Sequence, residues 1–281
     1  MNRPIRVIQY GLGPIGASIV RLMLEKAGLR IVGAVDIDPE KAGKDLGVVA
    51  DAGRELGVVV SDDAPAVLRA GADVVVHSTG SLLDQVADQL FGCLEAGLFV
   101  VSSCEELAYP FRKHPKLSQE LERCAQQNRV AVLGTGVNPG FMMDKLVLTL
   151  SAISQRVDSA KATRIVDASK RRLPLQKKIG AGMSVEEFQR QVAAGVIKHH
   201  GLPESVAMVA DGLGLAVDDI VETVEPVVAG KTIQTEFLEV APGQAAGVRQ
   251  VARGLADGQA KISLELQMYV GASDPSDTVE L

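Results

Sequence analysis

The sequence is poor in aromatic residues and in cysteine, and it has no long apolar run. Aromatic residues make up 3% of the 281 positions, and tryptophan is absent. The three cysteines are odd in number and show no CxxC or other metal-ligand spacing, so we expect reduced thiols and no metal site. No stretch is long enough to cross a bilayer, and Met1 runs into the first predicted strand without a signal peptide. These absences predict a cytoplasmic protein without a membrane partner.

Basic residues are also too few for a nucleic-acid binder. The formal net charge is −6, and the one basic cluster, residues 170–178, has no interleaved aromatic residues. Apolar residues, by contrast, make up 47% of the chain. At this length they are enough for two domains, each with its own core.

The most informative stretch lies near the N-terminus. An apolar run enters the sequence GLGPIG at residues 11–16 and continues into an amphipathic helix predicted over residues 17–26. In such a unit Gly11 allows a tight turn, Gly13 lets the backbone approach a pyrophosphate, and Gly16 lets the helix pack close to the strand. The unpaired N–H groups of the first helical turn attract phosphates. The stretch therefore predicts dinucleotide binding.

The residues after the second predicted strand bear on which dinucleotide is used. Residues 30–35 end in Asp36, where a carboxylate can accept hydrogen bonds from the adenosine ribose diol. This carboxylate repels a 2′-phosphate and favours NAD, whereas Lys41 and Lys44 follow closely and could reach that phosphate. Taken singly, each lysine also fits a solvated helix face. We expect NAD or NADP as the cofactor.

Strands and helices continue to alternate up to Gly140. Further strands are predicted at residues 72–77, 98–101 and 129–133, and the helices between and before them at residues 64–70, 83–96 and 116–128. Five strands with long crossovers predict a Rossmann-type α/β domain over residues 1–140, with a doubly wound parallel sheet. Ser78, Thr79 and Gly80 follow the third strand at its carboxyl end, where a nucleotide lies in such sheets or where a simple turn forms.

Beyond Gly140 the pattern changes to long segments of alternating polarity. Strands are predicted at residues 160–168, 220–228, 232–240 and 260–270, and helices at residues 141–153, 184–194 and 204–212. Residues 141–281 are therefore expected to form an α+β domain with a mixed, largely antiparallel sheet that is covered on one face.

Two adjacent acids, Glu105 and Glu106, follow the fourth strand at the sheet edge where a nicotinamide ring is expected. A carboxylate there can hold an ammonium or iminium group, or move a proton to or from an amine. Acids are also favoured at the start of a helix by the helix dipole alone. Position by itself does not choose between the two neighbours.

Four residues at the domain junction or in the second domain are candidates for a substrate pocket. Asn138 offers a donor and an acceptor, although Asn-Pro-Gly is also ordinary turn sequence. Arg164 could anchor a polar group or pair with an acid on the sheet. His200 could donate to a carbonyl or face solvent, and Phe141 could wall an apolar pocket or pack in the core.

Five segments together resemble one known family. They are QYGLGPIG at residues 9–16, VDID at 35–38, SSCEEL at 102–107, TGVNPGF at 135–141 and GLPES at 201–205. Over essentially its whole length the chain is similar to the native amine dehydrogenases and 2,4-diaminopentanoate dehydrogenases, which belong to the wider dihydrodipicolinate-reductase-like group.

The resemblance implies NAD(P)H-dependent reductive amination of an aldehyde or ketone with ammonia, and the reverse deamination of an amine. It assigns the catalytic carboxylate to Glu105 and implies a homodimer formed through the second sheet. The substrate-binding residues that it implies are Asn138, Arg164 and His200, to which residue chemistry adds Phe141. The cofactor-binding residues, with those derived above, are Gly11, Gly13, Pro14, Ile15, Gly16, Asp36, Ser78, Thr79, Gly80 and Cys104.

The chain departs from the wider group in two places. The histidine-pair, lysine and Pro-Ser-Gly-Thr signature of dihydrodipicolinate reductases is replaced at residues 165–172, so that reaction is not expected. Chains of the family also usually run on past a point like residues 277–281, so we expect a shortened chain or a missing C-terminal segment. Two alternatives remain open: a 2,4-diaminopentanoate dehydrogenase, in which Arg164 would bind the substrate carboxylate, and a non-catalytic NAD(P)-binding sensor or scaffold.

Overall fold

The first half of the chain folds into a sheet with helices between its strands. The computed structural model describes residues 3–272 and 278–280, and the chain divides into two compact units, Met1–Gly136 and Val137–Leu281. The strands of the first unit are β1 (Ile5–Tyr10), β2 (Leu29–Val35), β3 (Val60–Ser61), β4 (Val74–His77), β5 (Phe99–Ser102) and β6 (Val132–Gly134). Its helices are α1 (Pro14–Leu24), α2 (Leu46–Val49), α3 (Ala64–Leu68), α4 (Leu83–Glu95) and α5 (Pro115–Asn128), with the 3-10 helix Glu105–Ala108 after β5.

All neighbouring strands of the first sheet are parallel, in the order β3-β2-β1-β4-β5-β6. The strand order reverses at β1, which lies between β2 and β4, and ligands bind at the carboxyl ends of the strands beside such a reversal. The predicted doubly wound parallel sheet is confirmed. It has one strand more than predicted, because the two residues of β3 are too few to give a periodic pattern.

Apolar side chains cover both faces of this sheet. Ile8 packs in one cluster with Val75 and Leu90, whereas its neighbour Val7 packs in a second cluster with Val20. Successive side chains of a strand point to opposite faces, so β1 is buried on both sides. Each such side chain contributes about 1.5–3 kcal/mol when it is fully buried. This packing holds the carboxyl end of β1 in place.

Helix α1 begins earlier than the sequence predicts. Its first residue is Pro14, three positions before the predicted start at Ala17, and Gly13 is its N-cap. Proline fits the first turn because the N–H group that it lacks would have no partner inside the helix. The glycine-rich turn is therefore shorter than predicted, and the helix N-terminus lies directly after Gly13.

The second unit combines helices with a separate sheet. Its strands are β7 (Ala160–Asp167), β8 (Asp219–Val228), β9 (Ile233–Gln234), β10 (Glu239–Val240), β11 (Ala245–Ala256), β12 (Gln259–Tyr269) and β13 (Thr278–Glu280). Its helices are α6 (Lys145–Ser151), α7 (Leu173–Lys178), α8 (Val185–Ala193) and α9 (Leu202–Leu213). Of the C-terminal stretch discussed above, Asp277 and Leu281 lie outside the described residues.

The main sheet of this unit has the order β13-β7-β12-β11-β8. Strands β7 and β12 are parallel and the other pairs are antiparallel, so the predicted mixed sheet is confirmed. Helix α9 covers one face, where Val206 and Val209 share a cluster with Leu264. On the opposite face Arg249 forms ion pairs with Glu225 and Glu265.

Two predicted elements of the second unit are wrong in extent. The strand predicted over residues 232–240 is two short strands, β9 and β10, joined by a turn in which Thr235 Oγ1 accepts hydrogen bonds from the N–H groups of residues 237 and 238. The helix predicted over residues 141–153 covers only α6, because Asp144 caps the N–H of Lys145 and the preceding residues form turns.

Strand β11 and the short helix α7 were not predicted from the sequence. Among the helices of the described residues, none is long and apolar enough to span a lipid bilayer.

Candidate functional site

The three glycines of the first turn occupy positions with different steric demands. Gly11 has φ +90°, and a Cβ atom there would lie 2.5 Å from the carbonyl oxygen of Ser78. At Gly16 a Cβ atom would lie 2.0 Å from the carbonyl oxygen of Gly11, so only glycine allows this close packing. At Gly13 a Cβ atom would meet nothing within 4 Å. The open space beside Gly13 is what close approach of a ligand to the backbone requires.

A cavity of about 360 Å³ opens beside this turn, at the carboxyl ends of β1, β2 and β4. This volume is in the range of small-molecule sites. The residues that line the cavity are Tyr10, Gly11, Gly13, Asp36, Ile37, Lys41, Ser78, Thr79, Gly80, Gln85, Val86 and Gln89. Six of the ten predicted cofactor-binding residues are therefore brought together in one cavity wall.

Side chains behind the cavity fix the turn. Buried Gln9 donates from Nε2 to the carbonyl oxygen of Gly11 at 2.8 Å and to Ser78 Oγ at 2.9 Å. The Ser78 hydroxyl lies 3.0 Å from the same carbonyl oxygen. The turn is thus held from β1 and from β4 together. Gln9 was not predicted as a site residue, although a polar residue inside an otherwise apolar strand is a recognisable signal.

Asp36 lies in the cavity wall and is 9% exposed. Its Oδ2 accepts a hydrogen bond from the N–H of Leu12 at 2.7 Å, and its Oδ1 accepts one from the N–H of Asp38 at 2.9 Å. These bonds join the carboxylate to the glycine-rich turn and fix its orientation. Because Oδ2 also accepts from Lys41 Nζ at 3.3 Å, it is Oδ1 that keeps acceptor capacity for a ribose hydroxyl.

A hydrogen-bond network around buried His77 holds Thr79 and Gln89 in the cavity wall. His77 Nε2 lies 2.8 Å from Gln89 Oε1 and 2.9 Å from Thr79 Oγ1, and its Nδ1 lies 2.9 Å from Ser102 Oγ. The amide oxygen of Gln89 can only accept, so Nε2 carries the proton and Nδ1 accepts from the Ser102 hydroxyl. Burial lowers the pKa of His77, which keeps the ring neutral and this pattern intact. His77 and Gln89 were not predicted as site residues.

The remaining predicted cofactor residues lie outside the cavity wall. Pro14, Ile15 and Gly16 form the first turn of α1, where N–H groups without helical partners can bind a phosphate. Cys104 is fully buried, and its thiol donates to the carbonyl oxygen of Ser81. Burial raises the pKa of the Cys104 thiol to about 11, so the group is uncharged and turned into the core.

These observations fit a dinucleotide. The space at Gly13, the anchored carboxylate of Asp36 and the start of α1 supply places for a pyrophosphate and a ribose.

The two acids after β5 have different surroundings. Glu106 is 2% exposed, accepts from the N–H of Leu83 at 2.8 Å, and contacts Lys113 and His114. Burial alone would raise the pKa of Glu106, but the hydrogen bonds from Lys113, Leu83 and His114 outweigh it and lower the pKa. Glu105 is half-buried, and its carboxylate makes no hydrogen bond or ion pair with any residue that the structure describes. Glu106 is committed to the fold, whereas Glu105 is available to a ligand.

Asn138 is 9% exposed, and neither its Oδ1 nor its Nδ2 has a hydrogen-bond partner among the described residues. Buried amides are normally paired, so this side chain is suited to a polar ligand. Its turn is braced by fully buried Asp144, whose Oδ2 accepts from the N–H of Gly140 at 2.7 Å and from Ser205 Oγ at 2.8 Å. Asp144 thereby joins residues 135–141 and 201–205, two of the segments that resemble the family.

The predicted residues Arg164 and His200 lie near each other in the second unit. Arg164, Leu266 and Gln250 are neighbours across β7, β12 and β11, so their side chains project to the same face of the sheet. Gln250 exchanges two hydrogen bonds of 2.8 Å with the backbone of His199. Burial, with the positive charges of Arg164 and Lys178 as smaller causes, lowers the pKa of His199 to about 4. Arg164 and Lys178 therefore place positive charge near neutral His199.

Phe141 is the remaining predicted substrate residue. Its side chain is half-exposed, at 50%, and lies after the Asn138 turn.

Comparison with known proteins gives two family matches. Residues 5–103 match the family described as dihydrodipicolinate reductase, N-terminus, and residues 141–274 match the 2,4-diaminopentanoate dehydrogenase C-terminal domain. The chain is 32% identical over 269 residues to a 2,4-diaminopentanoate dehydrogenase from Acetoanaerobium sticklandii, and the aligned region covers 93% of this chain and 75% of the relative. It is 24% identical over 270 residues to an amine dehydrogenase from Streptomyces virginiae, which covers 93% of this chain and 74% of that one.

A solved structure agrees with these sequence matches. An amine dehydrogenase from Mycobacterium smegmatis superposes with a TM-score of 0.82 at 28% identity, covering 98% of this chain and 82% of the other.

Proposed function

The chain belongs to the 2,4-diaminopentanoate dehydrogenase family, and from this premise we propose that it catalyses the reductive amination of an aldehyde or ketone with ammonia and the reverse deamination of an amine. The protein is an NAD(P)-dependent oxidoreductase. The first unit binds the dinucleotide, and the second unit supplies the substrate-binding residues.

The observation that carries the proposed chemistry is the contrast between Glu105 and Glu106. Glu106 has its oxygens occupied by Leu83, Lys113 and His114, whereas the carboxylate of Glu105 has no partner among the described residues. A carboxylate without a fixed partner can hold an ammonium or iminium nitrogen by charge and take up its proton.

The chain's own residues then have separate roles. When bound, the nicotinamide supplies or accepts the hydride. Glu105 holds the nitrogen in its charged form, which makes the attached carbon more electrophilic. The buried amide of Asn138 has no hydrogen-bond partner among the described residues. Its donor and its acceptor therefore bind the polar end of the substrate. His200 and Phe141 add a donor and an apolar wall.

A screen of carbonyl compounds of graded length tests this function. We expect consumption of NADH or NADPH that requires both ammonia and the carbonyl compound, and formation of NADH or NADPH with the matching amine. Dinucleotide binding without turnover of any such pair would contradict the proposal and favour a sensor or scaffold.

A 2,4-diaminopentanoate dehydrogenase is the second candidate. The positive charges of Arg164 and Lys178, which both act on His199, favour it because they are suited to a substrate carboxylate. Under this alternative Arg164→Met raises KM for 2,4-diaminopentanoate and leaves turnover of simple alkyl amines unchanged. Equal effects on both substrates would remove this candidate.

We also propose a homodimer and a cytoplasmic location. The charged face of the second sheet, with Arg249 between Glu225 and Glu265, is self-complementary in charge and supports pairing of two copies. Sedimentation equilibrium of the parent chain and of Arg249→Glu tests this, since a monomeric parent contradicts it. The three free thiols are compatible with a reducing compartment.

A further inference from the structure

His77 connects two parts of the first unit through its two ring nitrogens. The residue is fully buried in β4 and is paired with Ser102 of the neighbouring strand β5. Its Nδ1 accepts from the Ser102 hydroxyl, and its Nε2 lies beside Thr79 and Gln89, which line the cavity. Tyr10 packs edge-on against the ring, with the ring centroids 5.5 Å apart. The ring is therefore fixed in plane and bonded on both sides.

The Ser102 hydroxyl extends this network to the segment that carries Glu105. Its proton goes to His77 Nδ1, and its oxygen accepts from the N–H of Cys104 at 3.1 Å. Cys104 is the N-cap residue of the 3-10 helix Glu105–Ala108, and its own side chain does not cap that helix. A hydroxyl has one proton to donate, so its orientation depends on the acceptor at Nδ1. The start of the helix that carries Glu105 is thus held from the histidine ring.

The hydroxyl of Thr79 is oriented by the same ring. Thr79 Oγ1 donates to Gln89 Oε1 at 2.6 Å and lies 2.9 Å from His77 Nε2, whose proton it shares with Gln89. A hydroxyl has one proton and two acceptor sites, so one acceptor site remains for a ligand. This site suits a donor group of the dinucleotide, such as a ribose hydroxyl or the carboxamide, and not a phosphate, which has no proton to donate.

We propose that His77 is a positioning residue that holds two parts of the site at once: the Thr79 hydroxyl for the dinucleotide and, through Ser102, the segment that carries Glu105. The ring acts through these neighbours, since it is itself fully buried. The part that concerns Glu105 rests on the proposed function, whereas the part that concerns Thr79 needs only the dinucleotide site.

Two substitutions at His77 separate the two parts, because an amide replaces one ring nitrogen at a time. Asparagine reaches as far as Nδ1 and offers Ser102 an acceptor, whereas glutamine reaches as far as Nε2 and offers the cavity side a donor. We expect His77→Asn to weaken NADH binding by about 3- to 10-fold and to keep kcat within about twofold. We expect His77→Gln to keep NADH affinity within about twofold and to lower kcat by about tenfold or more. Titration by NADH fluorescence and steady-state rates measure the two quantities.

Substitutions of the neighbours test the same division without changing the ring. Thr79→Val should reproduce only the loss of NADH affinity, and Ser102→Ala only the loss of kcat. Ser118→Ala is a matched control, because Ser118 is a buried serine of the same unit whose hydroxyl donates to the carbonyl oxygen of His114 at the start of α5. It should change neither quantity by more than about twofold.

Hydrogen exchange of residues 103–108 follows the segment around Glu105 without turnover. Exchange there should be faster than in the parent in His77→Gln and Ser102→Ala, and parent-like in His77→Asn. The same change in both His77 variants, parent values in both, or equal effects of Ser118→Ala and Ser102→Ala would each overturn the proposal. A parent chain that binds NADH but turns over no amine removes the proposed function, while the affinities and exchange rates still test the role of His77, so the two failures are distinguishable.

Discussion

Glu105 and Glu106 are adjacent in sequence, but their carboxylates have different surroundings. We expect Glu105→Gln to lower the rate of reductive amination by at least about 100-fold, because proton transfer and charge stabilisation are lost, while dinucleotide affinity stays within a few-fold. Steady-state rates and dinucleotide titration measure the two effects.

Glu106→Gln is the matched control. It leaves Lys113 and His114 without their anionic partner, so we expect a lower unfolding temperature and retained turnover of the folded enzyme. Loss of turnover in the Glu106 variant alone would move the catalytic role away from Glu105.

Substitutions at Gly13 and at Gly16 distinguish a ligand contact from a packing contact. Gly13→Ala places a methyl group in open space, so we expect folding stability within about 0.5 kcal/mol of the parent. The methyl group stands where a pyrophosphate must approach, so dinucleotide affinity should fall by about tenfold or more.

Gly16→Ala should affect folding stability more strongly than dinucleotide affinity. Its methyl group would lie 2.0 Å from the carbonyl oxygen of Gly11, which should destabilise the fold by about 1–3 kcal/mol. Urea unfolding and dinucleotide titration of both variants check this. Tight binding by the Gly13 variant would show that the backbone does not approach the ligand there.

The cavity residues that the sequence predicts are those whose role follows from one local pattern. Gly11 and Asp36 belong to a strand, turn and helix of recognisable spacing. Gln9, His77 and Gln89 act through side-chain contacts between β1, β4 and α4, which no local pattern contains. The choice of Glu105 over Glu106 also came from the family resemblance, since residue position leaves it open.

At the scale of elements, strand β11 shows the limit of sequence patterns most clearly. Its sequence, AAGVRQVARGLA, is rich in alanine and glycine, which have low strand propensity. The strand forms because β8 and β12 pair with it along both edges, so distant partners decide its structure. Helix α8, by contrast, was predicted within one residue at each end because Ser184 caps it locally.

Asp144 links two elements of the second unit, the Asn138 turn and α9. Asp144→Asn puts an amide donor in place of Oδ2, which accepts from the turn and from α9, or of Oδ1, which accepts from the N–H of Lys145. We therefore expect a loss of about 1–3 kcal/mol in stability and a raised KM for the carbonyl substrate. Ser205→Ala removes only one of these bonds and should lower stability by about 1 kcal/mol.

Urea unfolding and steady-state kinetics measure both variants. Parent-like KM in a folded Asp144→Asn protein would show that the turn does not need this brace.

At the scale of the whole molecule, each unit contains a histidine that is held neutral by the fold. His77 lies in the first sheet and His199 in the second unit, and burial is the largest cause of the lowered pKa in both. The unfolded chain binds a proton at each histidine near pH 6.5, whereas folded His199 does so only near pH 4.

This difference in proton binding predicts a loss of stability in mild acid. Because the pKa of His199 is lower in the folded state, its neutral form contributes fully to folding stability above about pH 6.5. This contribution, about 3 kcal/mol, is lost as the pH falls towards 4. His77 adds a loss in the same direction. Unfolding followed by circular dichroism between pH 7 and pH 4 should therefore show a smaller decline in His199→Gln than in the parent, because the neutral amide has no proton to gain. An identical decline in both proteins would place the acid sensitivity elsewhere. The variant His114→Gln then shows whether the contact between partly exposed His114 and Glu106 is responsible instead.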